Sequence, residues 1–127
     1  MNSALFMFLA TINKPKQLLR LSFINEVKVE ELQQARENVI MLLADLAPGF
    51  RLLTDLGSLD SMDVKCAAEI GKMMELCDEK GVALVVRVIP DHAKDIGLSI
   101  LSRFHYRHAP HTVTCQNMME AAKILSL

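Results

Sequence analysis

Leu52-Leu53-Thr54-Asp55-Leu56-Gly57-Ser58-Leu59-Asp60-Ser61-Met62-Asp63 decides how this chain is read. An apolar run that predicts a strand over residues 50–56 passes into an acidic turn, and a helical pattern follows it. Ligands and partners of open α/β sheets dock at the carboxyl ends of such strands. Three carboxylates (Asp55, Asp60, Asp63) and two hydroxyls (Ser58, Ser61) lie within this segment. It holds no lysine, no Gly-rich phosphate cradle and no histidine base, so it predicts a docking or regulatory surface rather than a catalytic centre.

Downstream of this turn, Cys66, Ala67, Ile70, Met73, Met74 and Cys77 fall on one helical stripe, with Lys65, Glu69, Lys72 and Glu75 on the other side. Gly81 stands where a left-handed residue closes a helix. Val82 to Ile89 is the most apolar segment and rich in β-branched residues, as a central strand buried on both faces should be. Pro90 breaks it. Ala93, Ile96, Gly97, Ile100, Leu101 and Phe104 predict a third apolar helix stripe, and His111 to Cys115 a short strand. Asn117 with Glu120 three residues later predicts a capped closing helix through Met119, Ala122 and Leu125.

Upstream, Ala4 to Ile12 is apolar and reads as a buried strand. It is too short to span a bilayer, and no basic residue precedes it as in a leader. Asn13-Lys14-Pro15-Lys16 turns the chain, and Leu19, Leu21 and Phe23 then alternate with Arg20 and Ser22. That alternation predicts the second arm of an antiparallel hairpin. Leu32, Ala35, Val39, Leu42, Leu43 and Leu46 mark the first helix, with Glu30, Glu31, Gln34 and Glu37 outside and Pro48-Gly49 as its stop. The order is β-β-α-β-α-β-α-β-α. It predicts one domain over residues 1–127, an α/β sandwich whose sheet is mixed and mostly parallel, with right-handed crossovers.

Composition narrows the function. The 127 residues are 51% hydrophobic and 23% charged, which excludes a disordered chain. Fourteen basic and fifteen acidic residues give a formal charge of −1, so nothing pulls the chain globally toward nucleic acid or an anionic membrane. Cys66, Cys77 and Cys115 are odd in number and lack metal-ligand spacing. They predict buried reduced thiols and a cytoplasmic location.

The topology, the Asp55-Leu56 strand end, the Leu59-Asp60-Ser61 turn, Lys80-Gly81 before Val82–Val88, and the closing Asn117-x-x-Glu120-Ala121-Ala122 helix together resemble a STAS domain. STAS domains form the module of sulfate transporters and anti-sigma-factor antagonists. The resemblance implies a non-enzymatic regulatory module that binds a protein partner, an anti-sigma-type kinase or another signalling protein. In bacterial antagonists an Asp-Ser-Ser/Thr-Gly turn carries a phosphorylated hydroxyl. Here Asp60-Ser61-Met62-Asp63 places methionine at the acceptor position and aspartate in place of the glycine; read from Asp63, the acceptor position is Lys65. The resemblance therefore implies the fold and a binding role more than phosphoregulation.

Each candidate site has a plain alternative. Asp60, Ser61, Met62, Asp63 and Lys65 are the expected partner-binding residues, with Met62 as an exposed apolar anchor and the face of Lys65, Glu69 and Lys72 beside them. Ser58 and Ser61 are the candidate phosphorylation sites. A phosphate there gains from a helix amino terminus and loses to acidic neighbours. Alternatively Asp60, Ser61 or Asp63 simply caps the helix. Asp55, Asp60 and Asp63 would suit Mg²⁺ if they converged, but no metal or other cofactor is expected. His105, His108 and His111 have metal-like spacing, which Pro110 interrupts; with Arg103 and Arg107 they read as solvated loop residues or as an anion patch. His111 and Cys115 on one strand stand roughly 13 Å apart, too far for a nucleophile–base pair. Met73, Met74 and Met119 are expected in the core. The alternative to partner docking is a small-ligand or lipid pocket between sheet and helices, and a metal-assisted enzyme ranks below it. An antiparallel edge strand and the apolar excess predict a homodimer.

Overall fold

The computed structural model describes residues 6–127, apart from the side chains of Phe6, His92 and Ala93; Ala4 and Leu5 of the expected first strand lie outside it. The elements are β1 (Phe6–Asn13), β2 (Leu18–Val27), α1 (Val29–Ala44), β3 (Arg51–Met62), α2 (Cys66–Lys80), β4 (Leu84–Val88), α3 (His92–His105), β5 (His111–Cys115) and α4 (Met118–Leu125). The strands lie side by side in sequence order. β1 runs antiparallel to β2, and each later pair is parallel. This is the mixed α/β sandwich with an opening hairpin that the sequence predicts.

The strand period explains the two layers. Leu19, Leu21 and Phe23 of β2 point to the face covered by α1, α2 and α3, where they meet Leu32, Val39, Ile70, Met73 and Cys77. Leu18, Leu53, Val86, Val88 and Cys115 point to the other face, which α4 covers with Ala121 and Leu125. Local signals set the helix ends. The Glu31 carboxylate accepts the Lys28 N–H at 3.2 Å, and Asn117 Oδ1 accepts the Glu120 N–H at 3.0 Å. Gly81 closes α2 at φ 95°, and a Cβ there would also stand 3.2 Å from Pro48.

Several expectations change. β1 is an edge strand with Leu9 exposed, not a buried one, because among the described residues it pairs with β2 alone. β3 does not stop at Leu56. It runs to Met62, since β2 is long enough to keep pairing with it through Ile24–Ser58, Asn25–Leu59, Glu26–Ser61 and Val27–Met62. Register shifts absorb the irregular residues between them. In α3 the buried residue is Leu98, whereas Ile96, Ile100 and Phe104 face solvent, Phe104 at 79% exposure. In α4 Met119 is 72% exposed, and the inward positions are Ala121 and Leu125.

Candidate functional site

The carboxyl end of β3 builds the candidate site. β4 pairs with β3 as far as Asp55–Val88, so the segment from Leu56 to Met62 overhangs its neighbour on that side. Ser58, Asp60 and Ser61 are exposed along this overhang. The expected acidic turn is thus mostly strand, and the turn itself shrinks to Asp63, Val64 and Lys65.

Asp63 organises that turn. Its N–H donates to Val27 O at 3.2 Å, its Oδ1 accepts the Lys65 N–H at 3.0 Å, and its carbonyl accepts the Cys66 N–H at 2.9 Å. None of Asp60, Ser61 or Asp63 caps α2 as expected: its N-cap is Lys65, without a side-chain cap bond, and Asp63 instead closes the turn that precedes the helix. Val64 at its tip is 87% exposed, although valine is usually buried. Met62, expected as an exposed anchor, is half-buried and packs against the core.

This turn is a ridge between two depressions. On one side Glu26, Lys28, Glu30, Ser61 and Asp63 border a polar crevice of about 450 Å³. On the other an apolar groove, also about 450 Å³, runs between α2 and α3 past Leu59, Met62, Val64, Ala67, Ile100 and Leu101. Lys94 reaches across the groove to donate to Leu59 O at 3.3 Å.

Tertiary contacts reassign other charged residues. Asp55 belongs to a different cluster from Asp60 and Asp63: its Oδ2 pairs with Arg20 at 3.0 Å and its Oδ1 accepts the Gly57 N–H at 2.9 Å. Among the described residues no three His, Cys, Asp or Glu side chains converge as a metal site would require. Glu69, expected on the exposed face with Lys65 and Lys72, is 4% exposed. Arg36 of α1 pairs with it and Lys72 lies 3.3 Å away. The Arg36 hydrogen bond holds the Glu69 carboxyl below the ordinary range, against the effect of burial.

The histidines find carboxylates that sequence neighbours do not supply. His105 Nδ1 lies 2.5 Å from Glu75 Oε2, and His108 Nδ1 lies 3.1 Å from Asp78 Oδ2. Asp78, 3% exposed, also accepts the backbone N–H groups of Arg107 and His108, both at 3.1 Å. Burial pushes its carboxyl up, but the hydrogen bonds from His108 and Arg107 outweigh that and bring it below the usual value. His111 is exposed at the start of β5, apart from both pairs. Arg103, Arg107, His108 and His111 are thus exposed as expected of solvated residues, while His105 and His108 also fasten α2 to the end of α3 through Glu75 and Asp78.

Asp78 has no place in the sequence reading, and neither has Arg87, which lies in the middle of the most apolar strand and is 3% exposed. Its signal was present: a charge inside a β-branched strand must find buried partners. Its guanidinium donates to Ser99 Oγ at 3.3 Å and to Ser102 Oγ. Burial pushes the Cys66 and Cys115 thiols up, and that of Cys77 to about 12. None of them is an activated nucleophile.

Comparison by sequence finds no matching family model and no matching curated protein. Solved structures do match. A DUF3478-family protein with a SpoIIAA-like fold from Shewanella loihica superposes with a TM-score of 0.68 at 15% identity, covering 94% of this chain and 92% of that one. The unphosphorylated anti-sigma factor antagonist SpoIIAA gives 0.61 at 14%, covering 94% and 98%. An anti-sigma factor antagonist from Mycobacterium paratuberculosis gives 0.58 at 16%, covering 95% and 94%. The chain has the SpoIIAA-like α/β fold, the STAS-type architecture that its sequence resembles.

Proposed function

We propose that the chain is a non-enzymatic regulatory module that docks a signalling protein on the ridge formed by Asp60, Ser61, Met62, Asp63 and Lys65. The observation that carries this reading is the exposed Val64 at the tip of a rigidly tied turn, with carboxylates and a lysine around it. An apolar anchor ringed by charges is the anatomy of a protein interface, in which the anchor supplies affinity and the charges supply selectivity. The shared fold supports it, since solved neighbours are anti-sigma factor antagonists and one of them, SpoIIAA, is known in a phosphorylated form. Deeply buried thiols and an Asp55 engaged by Arg20 support a binding role over catalysis. Among the described residues no helix is long and apolar enough to cross a membrane.

The partner in this reading is an anti-sigma-type kinase or a related signalling protein, and the exposed Ser58 and Ser61 hydroxyls are its modification sites. The test is capture of partners from the native cell by wild type and by Val64→Asp and Asp63→Lys variants, followed by titration with the purified partner. Retention of a signalling protein by wild type and at least tenfold weaker binding by both variants is the expected result. Equal binding by all three would remove the ridge from the interface. Mass spectrometry of the 58–61 segment after incubation with that kinase and ATP tests the modification.

A further inference from the structure

The sheet has two edges, β1 and β5, and they are guarded differently. β5 is five residues long, and its Thr114 hydroxyl donates to Asp95 of α3 at 2.9 Å. A short edge is one of the ways in which proteins avoid pairing with another chain. β1 is eight residues long, and its ladder with β2 is regular from Met7 to Asn13, the register shifts being confined to Phe6. From Phe6 to Asn13 it carries no charged residue and no proline. Among the described residues it pairs with β2 alone, so its outer row of N–H and C=O groups is open to a further strand.

The side chains of β1 suit such a strand. Phe8, Ala10 and Ile12 lean on the core on the side covered by α1, yet they stay half-buried. Leu9, on the other face, is 47% exposed, and α4 packs on β3, β4 and β5 at the far side of the sheet. Charges stand at opposite ends of this edge. Lys14 follows β1 in the turn, whereas Glu26 is in register with Phe6 at the start of the strand and borders the same polar crevice as Glu30. Lys14 and Glu26 are both exposed, and neither enters an ion pair among the described residues. An edge that is apolar along its length, cationic at one end and acidic at the other is complementary to its own reversed copy.

We propose that a second copy of this chain covers the edge: two β1 strands pair antiparallel about a twofold axis at Ala10 and join two five-stranded sheets into one. Twofold symmetry lets the same patch serve both copies. Directly opposed side chains of an antiparallel pair share a face, so with Ala10 opposite its own copy, Phe8 meets Ile12 and Leu9 meets Thr11. Lys14 then lies opposite Phe6 of the other copy, and Phe6 is the residue in register with Glu26. The attraction recurs at both ends of the interface. A parallel pairing would instead set Lys14 beside Lys14. This surface is separate from the docking ridge, which follows β3.

The test is sedimentation velocity of the purified full chain across the micromolar range. Wild type should sediment as a dimer that dissociates on dilution, and its unfolding midpoint should rise with protein concentration. The double variant Leu9→Lys/Thr11→Lys changes two exposed side chains and sets their ammonium groups around the axis. It should stay monomeric at the highest concentration examined, with an unfolding midpoint that no longer depends on concentration. Should that variant fail to fold, the charged ends decide. At low salt Lys14→Glu should weaken the dimer by about threefold or more. Adding Glu26→Lys should restore it to within about twofold of wild type, a rescue that requires the two ends to meet. High salt should erase the difference. A wild type that is monomeric throughout, a dimer that survives both lysines, or a Lys14→Glu/Glu26→Lys dimer no tighter than that of Lys14→Glu would each overturn the assignment.

Discussion

The seam between α2 and α3 differs at its two ends. At the carboxyl ends of the helices, Asp78 gathers two backbone N–H groups and the His108 ring, and Glu75 meets His105. Gly71 makes room there: a Cβ on it would stand 2.5 Å from the His105 ring. At the amino ends Lys94 donates to Leu59 O, and an apolar groove stays open between the helices. One pair of helices is thus closed by satisfied polar contacts where the chain must hold together. It is left ajar at the carboxyl ends of the strands, where α/β folds place their binding sites. A buried carboxylate, Asp78, and an exposed one, Glu75, serve stability at one end; unburied apolar side chains serve recognition at the other.

The comparison makes ordered predictions. Asp78→Ala should cost the most, about 2–3 kcal/mol, because it removes charge-assisted bonds from a buried carboxylate to two backbone N–H groups and the His108 ring. Urea denaturation checks this, and a loss under 1 kcal/mol would mean that the closed end does not hold the seam. The same carboxylate makes the protein acid-sensitive. Its folded pKa lies below its unfolded one, so its stabilisation is complete above about pH 4 and is lost as pH falls through the folded value. Glu69 adds to this in the same direction. Unfolding midpoints measured from pH 6 down to pH 2 should fall more steeply for wild type than for Asp78→Asn. His105→Ala breaks a half-exposed pair and should cost under about 1 kcal/mol. At the open end Val64→Asp should change stability by no more than about 0.5 kcal/mol while weakening partner binding. A loss of 2 kcal/mol would show that Val64 is part of the fold. Gly97→Ala should stabilise slightly, by about 0.4–1 kcal/mol, since a helical glycine with open space around it gains from a methyl group.

How much was legible depends on whether the signal was local. The alternation of Leu19, Leu21 and Phe23, the Pro15 turn, the Gly81 cap and the Asn117 cap each act within a few residues, and each appears where the sequence places it. The end of β3 was misread because Gly57, Ser58, Asp60 and Ser61 are poor strand formers. Pairing with the far end of β2 overrides that preference. The inward face of α3 was misread for a related reason. Buried Arg87 draws Ser99 and Ser102 toward itself, so the serine-bearing arc turns in and Ile96, Ile100 and Phe104 turn out.

By itself the sequence determined the order of elements, the sheet class and the Gly81 and Asn117 caps, because hydrophobic period and capping chemistry are properties of neighbouring residues. Tertiary structure alone decided which charges are buried, how far β3 runs and where the groove opens. Those outcomes depend on partners contributed by distant segments: Arg36 for Glu69, the 107–108 backbone for Asp78, and α3 for Arg87. A buried charge is tolerable where such a partner arrives, and no local pattern encodes that arrival.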